Sequence, residues 1–381
     1  MNSPRKPGLE EANNSQASRR ALTVFMLGLM AIGMGWVFYG LLPQKADFYN
    51  NLWGPVYLLT HGQSPYNTAG LNPTLPPMWF PMAIGFFFPL GWLPEPLATQ
   101  VWFVFNILAL CSLVVWAQGE KRSPFLLLAL ILFCFTFPPV LTHLYLGQIS
   151  IVVVLSLMVA AWFMSRQKHW GAAAAMALAL SKPHLVFLAA IGFCVYEYRR
   201  EGWKAATGIA VKIALMVVLF CIPLFIADVN WMSDALTGMK QNTNWAYPSL
   251  FDIFQRVFPE WRYLLWGVVF AGILALDVFL WARLPMRDAL LWSLALTPLA
   301  SPFIWSWDFV LLLPLFLSTF VASSAKNRIA LGVGYILAFV GMMLAQFHPG
   351  SHNQVFWWVP LWFVFLVAAI TMREKSRPVT S

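Results

Sequence analysis

Charge is what this chain has least of. Only 10% of its 381 residues are Asp, Glu, Lys or Arg, while 60% are hydrophobic. A soluble domain carries about 25% charged residues, so a soluble fold is excluded. Cysteine is scarce too. Cys111, Cys134, Cys194 and Cys221 all fall inside apolar runs, and no pair has CxxC spacing. They read as small core residues, not as disulfides or metal ligands. The histidines have no HExxH-type spacing, which excludes the common zinc motif. The chain also lacks a Gly-rich phosphate loop, a serine elbow and a dinucleotide fingerprint. An enzyme without a nucleotide site must take an activated group from elsewhere, and a lipid is one source.

What the chain does have is apolar runs of membrane length. A helical span needs roughly 17–25 apolar residues at about 1.5 Å rise each. Candidate spans are 21–42, 97–117, 124–143, 149–165, 170–182, 184–198, 204–226, 261–282, 288–304, 308–323, 329–346 and 354–372. The reading is an all-α polytopic membrane protein with about 11–13 transmembrane helices. Residues 1–20 are expected to be a disordered cytoplasmic N-terminus, 21–372 a single transmembrane domain, and 373–381 a cytoplasmic tail. The first apolar run is too long for a signal-peptide core and lacks a clear cleavage site, so it reads as a retained helix.

The net charge of +9 does not indicate nucleic acid, because the basic residues sit in short clusters between apolar runs. With the N-terminus in the cytoplasm, every inner loop carries Lys or Arg, as the positive-inside rule requires. Both termini are then cytoplasmic. The basic residues left over are Lys45, Lys182, Lys212, Lys240, Arg256 and Arg262. The stretch 76–96 is apolar but interrupted by Pro81, Pro89 and Pro94. It is expected to be a helix lying in the outer interface or dipping into the membrane, since a full span there would reverse every later loop. A short true span is the other reading.

Polar chemistry gathers on the outer side, in loops about 43–96 and 227–260. Acids near a membrane are costly and are functional candidates. Asp47 is the first acid after the first apolar run and stands beside Phe48 and Tyr49. Its alternatives are a working base or a helix-end acid paired with Lys45. Lys182, before the helix-breaking Pro183, and Arg256 are candidates for an anionic headgroup or phosphate. Pairing with Asp228 or Asp252 is their other reading. His143, His184, His348 and His352 are also placed outside.

"ADFYNNLWGPVYLLTHGQSPYN" resembles the first outer loop of the polyprenol-phosphate-mannose-dependent mannosyltransferases, glycosyltransferase family 87 of the GT-C superfamily. The matching positions are Asp47, Phe48, Gly62, Ser64, Pro65 and Tyr66. The similarity continues through "PPMWFPMAIGFFFPLGWLP", through Trp102 and Asn106, Gly147 and Gln148, and Lys182 and Pro183. It ends with Ser249 and Arg256, then Ser301, Pro302 and Trp305. No single motif is specific; six in order over most of the chain are. At one place the sequence departs from the family. Many members carry a histidine shortly after that tryptophan, where this chain has Trp307 and then Asp308. Either Asp308 takes that role, or a different sugar or acceptor is bound.

The resemblance implies a GT-C-type bundle whose extracytoplasmic first loop bears juxtamembrane helices. It also implies transfer of a sugar, mannose by analogy, from a polyprenyl phosphate to a glycolipid or glycan acceptor, with inversion. The enzyme would sit in the cell membrane with its site on the extracytoplasmic side. Asp47 is then the expected catalytic base. Lys182, Arg256, Gln148, His184, Tyr66, Trp305 and Asp308 are the expected substrate-binding residues. No metal or cofactor is called for, because Lys and Arg can stabilise a phosphate leaving group. The competing classes are a secondary transporter or flippase, suggested by Lys212 and Asp277, and a non-catalytic scaffold. No duplicated halves favour the transporter.

Overall fold

The computed structural model describes residues 46–71, 75–119, 124–240, 245–347 and 353–375. The expected N-terminal segment and first span, Lys45, and the paired cations Lys121 and Arg122 lie outside the described residues, as do His348 and His352.

Among the described residues the chain is helical and contains no strand. The first segment, α1, joins Ala46–Phe48, a π turn at Tyr49–Trp53, and Gly54–Thr60. Then come α2 (Pro81–Phe86), α3 (Glu95–Gln118), α4 (Pro124–Cys134), α5 (Pro138–Leu146), α6 (Ser150–Met164), α7 (His169–Ala179), α8 (Phe187–Glu201) and α9 (Trp203–Ala227). The second half holds α10 (Trp231–Lys240), α11 (Leu250–Val257), α12 (Arg262–Arg283), α13 (Met286–Ala300), α14 (Leu313–Ala322), α15 (Ala325–Phe347) and α16 (Trp358–Lys375).

Among the described residues, five helical stretches are long and apolar enough to cross a membrane: α3, α9, α12, Ala325–Gln346 of α15, and Asn353–Glu374, which contains most of α16. A sixth crossing is formed if α4 and α5, bent by 71° at their junction, count as one span. Pro138 and Pro139 sit at that bend, at the start of α5. Proline lacks the N–H that would continue the ladder. The remaining expected spans are helical where described, but shorter than a full crossing, as in Ser150–Met164 and Ser306–Ala322. Helices α9 and α12 leave most of their length uncovered, with Leu215, Val218, Ile226, Leu264 and Val268 exposed. Apolar faces of this size fit lipid, not water. The protein is a polytopic membrane protein.

The stretch 76–96 is neither a span nor one continuous interfacial helix. It breaks into the short α2 and a 3₁₀ turn at Phe88–Trp92. Both lie tightly on their neighbours. A Cβ on Gly85 would stand 1.7 Å from the Phe220 carbonyl oxygen of α9, and one on Gly91 would stand 2.2 Å from that of Val56 in α1. Nearly all buried apolar side chains among the described residues join one cluster, from Phe48 to Ile370. That cluster holds α1 rigidly over the ends of α3 and α5.

Candidate active site

One junction sets the geometry. Helix α5 ends at Gly147, whose φ of 69° is left-handed, a conformation that costs glycine little. A Cβ here would also come within 2.6 Å of the Phe48 Cβ. Indole Nε1 of Trp102 donates to the Gly147 carbonyl at 2.8 Å, and the Trp102 ring stacks on Phe48 at 5.8 Å. Thus the turn that carries Gln148 is pressed onto the residue next to Asp47.

Gln148 Nε2 donates to Asp47 Oδ2 in a short hydrogen bond. On the other oxygen, Oδ1, Asn51 Nδ2 approaches to 3.4 Å. Asn51 is one turn on from Asp47, so the two share a helix face. The π turn that follows Asp47 widens the helix there; such turns recur at functional sites. Asn51 Oδ1 in turn accepts from the Met78 backbone N–H at 2.6 Å, and the Phe80 N–H donates to the Ser181 carbonyl at 3.1 Å. The extended segment 75–80 is therefore stitched between α1 and the Lys182 loop.

Lys182 is placed by the end of α7. Pro183 follows it and begins a 3₁₀ turn, and the residue before a proline is driven out of the helical region. Lys182 Nζ donates to Gln148 Oε1 at 2.7 Å, to Ser150 Oγ at 3.1 Å and to Asp308 Oδ1 at 2.9 Å. The ion pair with Asp308 is buried on both sides. Ser150 Oγ donates to Asp308 Oδ1 as well. The second Asp308 oxygen accepts from the Trp305 backbone N–H at 3.2 Å, closing the start of the 3₁₀ turn Ser306–Leu312. His184 Nε2 lies 4.0 Å from that same oxygen and has no hydrogen-bond partner.

These groups border a cavity of about 510 Å³, inside the roughly 300–1,000 Å³ range of small-molecule sites. Asp47, Asn51, Gln148, Lys182 and His184 line its polar side. Trp245, Tyr247, Trp305 and Trp307 line an aromatic wall, in which Trp305 and Trp307 stack at 4.7 Å and 9°. Burial pushes the Asp47 carboxyl up to about 6; the Lys182 charge and the Gln148 hydrogen bond pull it down, and the Asp308 charge adds to the rise.

Of the residues expected to bind substrate, Lys182, Gln148, His184 and Trp305 line this cavity with Asp47. Asp308 is fully buried behind Lys182 and does not line it. Two others are elsewhere. Arg256 pairs with Asp252 at 2.8 Å on its own helix and with Gln354, and it does not line the cavity. Tyr66 is buried, with its hydroxyl on the Trp79 carbonyl at 2.8 Å and its ring against Trp231; it braces the loop. His143 is fully buried, with Nε2 on Asn106 Oδ1 at 3.0 Å. Asn51, Ser150 and Tyr247 were not singled out by the sequence reading. Signals existed for two: Asn51 follows Asp47 by four, and Ser150 follows Gln148 by two. Among the described residues no cluster of three His, Cys, Asp or Glu could hold a metal ion.

The model of glycosyltransferase family 87 matches residues 80–312, more than half of the chain. No curated protein and no solved structure matches it. The matched stretch holds Gln148, Lys182, His184 and Asp308 but begins after Asp47, so Asp47 joins the site through its bond to Gln148 and not through the match. The chain belongs to glycosyltransferase family 87 and is a membrane glycosyltransferase.

Proposed function

We propose that the enzyme transfers a sugar, mannose by family resemblance, from a polyprenyl-phosphate donor to a glycolipid or glycan acceptor. The site faces the extracytoplasmic side of the cell membrane, and both termini are cytoplasmic. The observation that carries this reading is Asp47, a half-buried carboxylate at the edge of a sugar-sized cavity, held by two amides and close to a basic pole.

In this scheme the acceptor hydroxyl attacks the anomeric carbon from the face opposite the phosphate. A new C–O bond forms while the bond to the phosphate oxygen breaks, and the configuration inverts. Asp47 takes the hydroxyl proton. The bonding pair leaves with the polyprenyl phosphate. His184 lines the cavity beside Lys182, and we assign it to that phosphate. The aromatic wall offers flat faces to sugar rings. A base near the working pH is the most effective kind, and such help is worth about 10²–10⁴ in rate. Burial brings Asp47 toward that range.

Membranes given radiolabelled polyprenyl-phosphate-mannose test the reading. Label should enter a new glycolipid or glycan with the wild type and not with Asp47→Asn. Full transfer by that variant would sink the base assignment, and no labelled product from the wild type would sink the donor.

A further inference from the structure

Lys182 looks like a phosphate ligand in the sequence, yet its bonding in the structure is already complete. An ammonium has three N–H donors and no acceptor. Here all three are used, on Gln148, Ser150 and Asp308, and Asp308 offsets its charge. A bond to phosphate would require giving one of these up.

The same chemistry fixes the direction of the Gln148 amide. Only its oxygen can face an ammonium. Its NH₂ group must then face Asp47, where Nε2 donates to Oδ2. Asn51 obeys the same logic. Its oxygen is held by the Met78 N–H, so its NH₂ is the end presented to Asp47. Neither amide can turn over without leaving a donor facing a donor.

We propose that Lys182 is a positioning residue: it pins the Gln148 amide on Oδ2 of Asp47, so that Oδ1, which Asn51 approaches only to 3.4 Å, keeps a lone pair for the acceptor hydroxyl. This rests on Asp47 being the base. Asp308 and Ser150 hold the ammonium in place from behind. With the amide free, its oxygen could turn toward the carboxylate, and the base would lose both its aim and a donor that favours its charged form.

The ionisable groups around Asp47 are few. Lys182 and Asp308 act on it through charge, and His184 stands beside Asp308. His143, on the α5 element packed against Asp47, is turned to Asn106. Lys45 lies outside the described residues.

The test is steady-state transfer from polyprenyl-phosphate-mannose against pH. The key variant is Gln148→Met, which leaves the Lys182–Asp308 pair intact and so should fold. Its kcat should fall at least tenfold and the acid limb of its kcat profile should move to higher pH, with the donor KM unchanged. Lys182→Met, where it folds, should repeat that pattern with the acid limb about 1–3 units higher, the range expected for a lost neighbouring charge. The double variant should be no worse than the poorer single one, because both act along one path. A raised donor KM in Lys182→Met with an unmoved acid limb would make Lys182 a phosphate ligand and overturn the proposal. So would an unchanged kcat in Gln148→Met. Neither result touches the base itself, which Asp47→Asn tests separately.

Discussion

Asp308 and Asp277 are both fully buried acids, and their surroundings differ in kind. Asp308 has a cation at 2.9 Å, a serine and a backbone N–H. It stands one side chain behind a cavity that also holds Asp47. Asp277 sits within α12, where Ser293 Oγ meets Oδ1 at 2.5 Å and its other oxygen has no partner. Ser293 in turn receives the Trp281 indole N–H at 2.7 Å. No cation is paired with Asp277 among the described residues, and it does not line the 510 Å³ cavity. An acid in a membrane helix is therefore a poor guide to chemistry by itself. The informative features are a paired charge and an open space within reach.

The largest break between the two regions should come from Asp47→Asn. Transfer should fall by about 10²–10⁴, read as radiolabel incorporated per minute. The protein should melt no lower than wild type at pH 7. A carboxyl with its folded pKa raised by burial contributes stability below its unfolded pKa, and that contribution is lost as pH rises through about 6. At neutral pH the ionised group is a net cost, and its removal by Asn offsets the donor that the new NH₂ sets against the Gln148 or Asn51 amide.

Asp308→Asn comes next. It strands a buried ammonium, and removing one partner of such a pair costs about 3–5 kcal/mol. Thermal unfolding in detergent should show it as a large drop in Tm. Third is pH itself. If Asp47 is the base, as proposed, it must be ionised, so kcat should fall about tenfold per unit below pH 6 and level off above it.

Arg256→Ala should do much less. Its pair with Asp252 is 41% exposed on the arginine side, and exposed pairs contribute about 0–1 kcal/mol. The donor KM should hold within twofold; a clear rise would return Arg256 to the site. Asp277→Asn should be the mildest. Transfer should be unchanged, and stability should shift by about 1 kcal/mol or less, since the amide oxygen can still accept from Ser293. A loss of transfer there would erase the distinction between the two acids.

Much of the architecture was legible because membrane helices announce themselves by length. The apolar runs at 97–117, 204–226 and 261–282 became α3, α9 and α12 with ends shifted by a few residues or less. The stretch 76–96 was harder, because its shape depends on contacts with Val56 and Phe220 that no local pattern contains. At the site, Asp47 stood out as the first acid after a long apolar run. For Arg256 the sequence left a phosphate and an ion pair both open, and Asp252, four residues before it at the spacing of a helical ion pair, is the partner it has in the structure. The state of Lys182 was beyond local reading. Its three acceptors lie 34, 32 and 126 residues away, and only the packed bundle brings them together.

The completed shell around Lys182 also governs how the enzyme should respond to salt. Dissolved ions screen charges they can reach, and at 1 M the screening length is about 3 Å. The Arg256 guanidinium, 41% exposed against 10% for Asp252, is open to them. The Lys182–Asp308 pair, with side chains 7% and 0% exposed, is not. Concentrated salt should loosen the helix that carries Arg256 while leaving the aim of Asp47 as it is in dilute buffer.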